Sequence, residues 1–168
     1  MTGDLPPTPA RSRNMAAIKG KNTKPELKVR KALHAHGFRY RLHSANLPGK
    51  PDIVLPKYRV CIFVQGCFWH RHRGCRYAYT PSTRRAFWTK KFRENIERDN
   101  RNRGLLLAAG WTVIELWECG LRKQEPDLDW LYRHIQSPFS PFLSWPLKLL
   151  SEAHGPSLEP RQRRDSSN

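Results

Sequence analysis

Cys67, His72, Cys75 and Cys119 are the residue types that bind a soft divalent metal, and three of them lie close together in the chain. Four residues separate Cys67 from His72, and two separate His72 from Cys75. Three thiolates and one imidazole make a closed tetrahedral set, the pattern of a structural zinc with no position left for water. Such an ion pins a loop to a distant segment and does no chemistry itself. The alternative is a group of unrelated buried thiols beside a surface histidine. The remaining cysteine, Cys61, alternates with Val60 and Ile62 and reads as a core thiol.

A second kind of chemistry centres on Asp52. It follows the turn Leu47-Pro48-Gly49-Lys50-Pro51 and opens an apolar segment. A hard cation such as Mg²⁺ takes carboxylate and carbonyl oxygens with water in its other positions. Ions held that way activate water and stabilise a leaving oxygen in phosphodiester hydrolysis. A Pro-Asp pair also opens many strands for turn reasons alone. Glu26 stands third after Thr23, the spacing of a capping box at a helix start. That spacing gives Glu26 a structural role, and whether it also reaches the Asp52 site stays open.

Phe68, Trp69 and Trp88 stand among basic residues. Aromatic rings inserted between base steps unstack DNA, and a mismatch yields first because it is already weakly stacked. The alternative is that these rings fill core. Charge favours a nucleic-acid partner. Lys and Arg number 31 against 14 Asp and Glu, for a formal net charge of +17. Such an excess repels itself unless a polyanion neutralises it. No run reaches the ~18 apolar residues of a membrane span. The opening residues hold no apolar run of signal-peptide length, which points to the cytosol and reduced thiols.

The elements that must position these groups alternate. Thr23 opens a helix running to about Ala35, with Gly37 as its stop. Phe38, Tyr40 and Leu42 alternate with Arg39 and Arg41, which predicts a half-exposed strand. Asp52–Leu55 is a short strand ended by Pro56, and Tyr58–Gln65 is a central one. Arg84–Ala109 predicts a long helix closed by Gly110, with Lys90, Lys91 and Arg93 on its basic surface. Trp111–Trp117 is a further strand and Leu128–Ile135 a last short helix. Strands bracketed by helices argue for an α/β fold around a mixed sheet. The expected organisation is a disordered arm over residues 1–10, one catalytic domain over 11–136, and a largely irregular extension over 137–168.

Five stretches, in order between Arg11 and Arg122, carry a family resemblance. Arg13-Asn14-Met15, Leu47-Pro48-Gly49-Lys50-Pro51-Asp52, Gly66-Cys67-Phe68-Trp69-His70, Asn95-Ile96-Glu97-Arg98-Asp99 and Trp117-Glu118-Cys119 resemble the very short patch repair (Vsr) endonucleases. The resemblance implies a restriction-endonuclease-like core, a mixed sheet flanked by helices, with one structural zinc. It implies Mg²⁺-dependent nicking just 5′ of the mispaired T in T:G mismatches left by deaminated 5-methylcytosine.

Carried over, Asp52 is the metal carboxylate and Val64 offers its carbonyl to Mg²⁺. Glu26 and His70 are further catalytic members. Cys67, His72, Cys75 and Cys119 hold Zn²⁺, and Phe68, Trp69 and Trp88 form the intercalating wedge. Asn95 joins Lys90, Lys91 and Arg93 as a DNA-binding residue. Gln65 stands where the best-known family pattern has histidine, which leaves open whether Gln65 or His70 handles the proton. Arg71, Arg73 and Gly74 replace part of a His-rich run. The implied partners are double-stranded DNA carrying a T:G mismatch and mismatch-repair proteins, for a monomer in the bacterial cytosol. The rivals are another site- or lesion-specific DNA endonuclease on the same fold, and a non-catalytic zinc module that only binds DNA.

Overall fold

The structure is a computed structural model and describes residues 20–146. The expected N-terminal arm, the Arg13-Asn14-Met15 motif and residues 147–168 of the expected extension lie outside the described residues. Helix α1 spans Lys24–Ala35, capped by Thr23 and followed by Gly37 at φ 79°. That positive φ is the left-handed conformation glycine adopts without a Cβ clash. Strands follow at β1 (Arg41–Leu42), β2 (Ile53–Leu55) and β3 (Val60–Gln65). A short helix α2 (Cys67–His70) leads to the long α3 (Arg85–Ala108). Strand β4 (Thr112–Trp117), helices α4 (Glu118–Leu121) and α5 (Asp129–Gln136), and strand β5 (Phe142–Trp145) complete the chain.

The five strands form one mixed sheet in the order β1-β2-β3-β4-β5. The first three are antiparallel neighbours, while β3–β4 and β4–β5 are parallel. Successive side chains of a strand point to opposite faces, and burial follows that rule. On one face Ile53, Leu55, Val60, Ile62, Ile114 and Leu116 pack with Val29 and Leu33 of α1 and Leu131 and Ile135 of α5. On the other, Val54, Cys61 and Val113 pack with Leu106 of α3. Helices therefore cover both faces, as expected for an α/β fold around a mixed sheet. Truncating a fully buried residue such as Leu33 to alanine costs ~2–5 kcal/mol. Among the described residues no helix is long and apolar enough to cross a membrane.

Two elements differ from the sequence reading. The alternating Phe38, Tyr40, Leu42 stretch pairs only at Arg41 and Leu42. Phe38 and Tyr40 pack onto the α1 core as irregular chain, so their alternation reports burial and not a ladder. The second difference is β5, which lies in the segment read as irregular. Pro138, Pro141 and Pro146 break up its pattern, yet an edge strand tolerates proline at its ends. Gly120 shows how closely β5 approaches, since a Cβ there would lie 2.5 Å from the Trp145 ring.

Candidate active site

The carboxyl end of β3 and the start of β2 meet at a cleft of about 930 Å³, lined by Glu26, His43, Asp52, Val64, Gln65, Trp69, His70, Asp99, Arg103 and Glu115 among others. Strand β3 runs past the last β2 pair, Ile53 with Ile62. The Val64 N–H is therefore left without a ladder partner on that side and donates instead to Asp52 Oδ2 at 2.8 Å. Burial pushes the Asp52 carboxyl up to about 6. The Val64 hydrogen bond opposes the rise, the charge of Glu26 adds to it, and His43 and Arg30 oppose it. A carboxyl raised in this way is poised to exchange a proton for a cation.

Glu26 joins Thr23 in the cap of α1 and also reaches the Asp52 site. It is 2% exposed, on the first turn of α1. Its Oε1 accepts from the Thr23 hydroxyl at 3.0 Å, and its Oε2 accepts from the Asn22 N–H at 2.9 Å and from Arg30 Nη2 at 2.8 Å. Its ligand atoms also lie within 4.8 Å of those of Asp52 and His43, a set able to surround a metal ion. His43 was missed in the sequence. Its side chain reaches Asp52 only because the chain between β1 and β2 doubles back.

His70 lies across the cleft from this group. Its Nδ1 is 2.5 Å from Asp99 Oδ2. Burial works to raise Asp99, but the hydrogen bonds and charges of His70 and Arg98 prevail and hold its carboxyl below the ordinary carboxylate range. An ionised carboxylate only accepts, so His70 Nδ1 carries the proton and Nε2 is the ring nitrogen left for chemistry. Asp99 was quoted in the fourth motif and given no role there. Gln65, 6% exposed, ends β3 beside both groups. Arg103 donates to Glu115 Oε1 at 2.7 Å on the same wall. Burial raises Glu115, against the pull of Arg103.

The cysteine set converges as its spacing predicted. Ligand atoms of Cys67, His72, Cys75 and Cys119 all lie within 4.8 Å of one another. His72 Nδ1 is 3.8 Å from Cys67 Sγ and 3.3 Å from Cys119 Sγ. Metal–sulfur bonds of ~2.3 Å give tetrahedral edges of about 3.8 Å, so the arrangement fits one ion. His72 Nε2 lies 3.1 Å from the Pro146 carbonyl, which accepts its proton and leaves Nδ1 bare toward the sulfurs. The Trp117 ring stacks on His72 at 4.3 Å. Cys119 sits in α4, two residues past the end of β4. This buried cluster can bind a metal ion. Cys61 lies apart from it in the core, where burial lifts its thiol to about 12.

The aromatic residues also meet. The Phe68 ring lies 5.1 Å from Trp69, 5.4 Å from Trp88 and 5.2 Å from Phe92. Trp88 and Phe92 are buried on α3, while Phe68 and Trp69 are half-exposed on α2. Asn95 is buried and donates to the Trp69 carbonyl at 3.0 Å, so it stands behind the rings as a support. Lys90, Lys91 and Arg93 are exposed on the outer face of α3.

Residues 4–76 match the family model described as DNA mismatch endonuclease Vsr. The chain is 44% identical over 115 residues to DNA mismatch endonuclease Vsr of Escherichia coli strain K12, a match covering 68% of this chain and 73% of that protein. It is 48% identical over 107 residues to type II nicking enzyme V.XorIIP of Xanthomonas oryzae pv. oryzae, covering 64% of this chain and 78% of that protein. It is 44% identical over 121 residues to type II nicking enzyme V.NmeAIP of Neisseria meningitidis serogroup A, covering 72% and 86% respectively.

Proposed function

The chain belongs to the Vsr DNA mismatch endonuclease family, and from that premise we propose that it nicks DNA 5′ of the mispaired T in a T:G mismatch, using Mg²⁺ at Asp52 and a structural Zn²⁺ at the cysteine set. It is a DNA endonuclease. The observation that carries the finer reading is the cleft, where a raised carboxyl faces a histidine–carboxylate pair beneath half-exposed rings.

Asp52 and the Val64 carbonyl would hold Mg²⁺. A bound Mg²⁺ supplies charge neutralisation at the phosphate and stabilises the leaving oxygen. His70 Nε2 takes the proton of the attacking water. Asp99 fixes the ring and stabilises the imidazolium that forms, the relation seen in triad enzymes. Gln65 has no ionisable group, so it orients water or phosphate by hydrogen bonds. Phe68 and Trp69, backed by Trp88 and Asn95, enter the stack at the weakened mismatch. Zn²⁺ held by Cys67, His72, Cys75 and Cys119 would pin α2, which carries both rings and His70, to α4. Lys90, Lys91 and Arg93 bind backbone phosphates. The protein acts in this reading as a cytosolic monomer, in company with mismatch-repair proteins.

The deciding experiment is a nicking assay on duplexes that differ only at one base pair, with the cut site mapped and Mg²⁺ present or withheld. The expected result is Mg²⁺-dependent nicking of the T strand of the T:G duplex. Equal cleavage of matched and mismatched duplexes overturns the specificity and favours a site-specific nicking enzyme on this fold.

A further inference from the structure

We infer that His43 is a positioning residue for Asp52, held by Arg30 with its ring proton on Nδ1, and is not itself a ligand of the cation. The inference rests on the reading that Asp52 holds a divalent cation.

Arg30 Nη2 lies 2.9 Å from His43 Nε2. A guanidinium donates and never accepts. His43 Nε2 must therefore offer its lone pair, because a proton on that nitrogen would set two N–H groups against each other. The ring proton is then on Nδ1, and Nδ1 is the nitrogen 3.8 Å from Asp52 Oδ1. One nitrogen has its lone pair engaged by Arg30 and the other carries hydrogen, so neither is left for a metal. The 3.8 Å separation is too long for a direct hydrogen bond, and a small rotation of either side chain closes it.

Arg30 cannot easily swing away. It is buried, and its guanidinium also donates to Asn22 Oδ1 at 2.7 Å and to Glu26 Oε2 at 2.8 Å. The backbone of His43 is committed in the same direction. It sits at φ 47°, and its N–H donates to the Asp52 carbonyl at 3.2 Å. A left-handed non-glycine residue is strained and persists where the surroundings over-determine it. Both oxygens of Glu26 are already engaged. Asp52 lines the cleft, and among the described residues its Oδ1 accepts no hydrogen bond. That suits a hard cation that retains several waters and takes one or two carboxylates.

The test uses the full chain with its zinc in place. In ¹⁵N-histidine-labelled protein free of Mg²⁺, long-range ¹H–¹⁵N spectra at neutral pH report which His43 nitrogen is protonated. The expected pattern is hydrogen on Nδ1 alone, and a proton on Nε2 overturns the inference. The second arm is Mg²⁺ affinity by calorimetry for the parent, His43→Gln and His43→Leu. A glutamine amide can accept from Arg30 and donate to Asp52, whereas leucine can do neither. The expected result is His43→Gln within about threefold of the parent and His43→Leu weaker by ~10-fold or more, the scale of a lost supporting hydrogen bond beside a metal. Equal large losses in both variants would make the imidazole a ligand, and no loss in His43→Leu would remove its positioning role; either overturns the inference. Failure to nick DNA would defeat the proposed activity while leaving both readouts intact.

Discussion

His70 and Asp99, 29 residues apart in sequence, face each other at 2.5 Å through Nδ1 and Oδ2. Their meeting depends on α2 docking against α3, and it sets which ring nitrogen of His70 is free. A positioned acid–base group contributes ~10²–10⁴-fold. His70→Ala should lower single-turnover nicking of a T:G duplex by that order at saturating Mg²⁺. Asp99→Asn should lose a large part of the same factor, because an amide does not stabilise the imidazolium. Gln65→Ala should lose less, and Gln65→His should match or exceed the parent. A His70→Ala rate within about threefold of the parent defeats the assignment.

Asp52 links activity to stability. Its carboxyl is pushed up from an ordinary 3.8 to about 6 in the fold. The folded protein thus binds this proton more tightly than the unfolded chain. The associated stability is fully present below about pH 4 and is lost as pH rises through about 6, so ionised Asp52 costs the Mg²⁺-free protein on the order of 3 kcal/mol at neutrality. Asp52→Asn should abolish nicking, keep DNA binding, and raise the melting temperature of the Mg²⁺-free protein by several degrees at pH 7.5. The gain should fade toward pH 4. Thermal melts of parent and variant across that range measure it, and a constant difference would show that burial of the charge is not the cause.

How much of this was legible in the sequence depends on whether the signal was local. Thr23 with Glu26 and Gly37 marked both ends of α1. The apolar runs marked β2, β3 and β4, and the intervals among Cys67, His72 and Cys75 marked three members of the Cys/His cluster. The pairs made by tertiary contact left no such trace. His43 reaches Asp52 through the β1–β2 reversal, and Arg30 reaches His43 across from α1. Glu115 reads as one polar residue in an apolar strand until Arg103, on α3, is seen beside it. Strand β5 was hidden by its prolines. Asn95 lay in a recognised motif, but only packing shows that it props the Trp69 backbone.

Zinc should be required for the fold around α2. Structural zinc sites contribute apparent free energies of ~10–16 kcal/mol in small peptides at neutral pH. Cys119→Ser removes the thiol through which a bound ion would tie the Cys67–Cys75 loop to α4. It should lower zinc content by elemental analysis, lower the melting temperature, and release Phe68 and Trp69 as judged by tryptophan fluorescence. Purified parent protein that contains no zinc without chelator treatment would sink the assignment, as would a Cys119→Ser protein with full zinc and an unchanged melt.

The basic face of α3 separates affinity from recognition. Lys90, Lys91 and Arg93 are exposed, and Lys90 has only a 3.9 Å contact to Glu94 with its side chain 80% in solvent. Among the described residues no closer ion pair holds these cations, so a polyanion is their natural counterpart. Each phosphate they neutralise adds roughly 0.9 to the slope of log affinity against log salt. Replacing all three with alanine should therefore flatten that slope by about 2–3, weakening matched and T:G duplexes alike. Phe68→Ala should do the opposite. It leaves the salt slope intact and reduces the preference for the mismatch, since a ring that enters the stack pays off only where the stack is already weak. Titrations of both duplexes at several salt concentrations distinguish the two effects. A triple variant with the parent slope would remove α3 from the DNA-binding surface, and a Phe68→Ala protein that keeps its full mismatch preference would return the ring to a packing role.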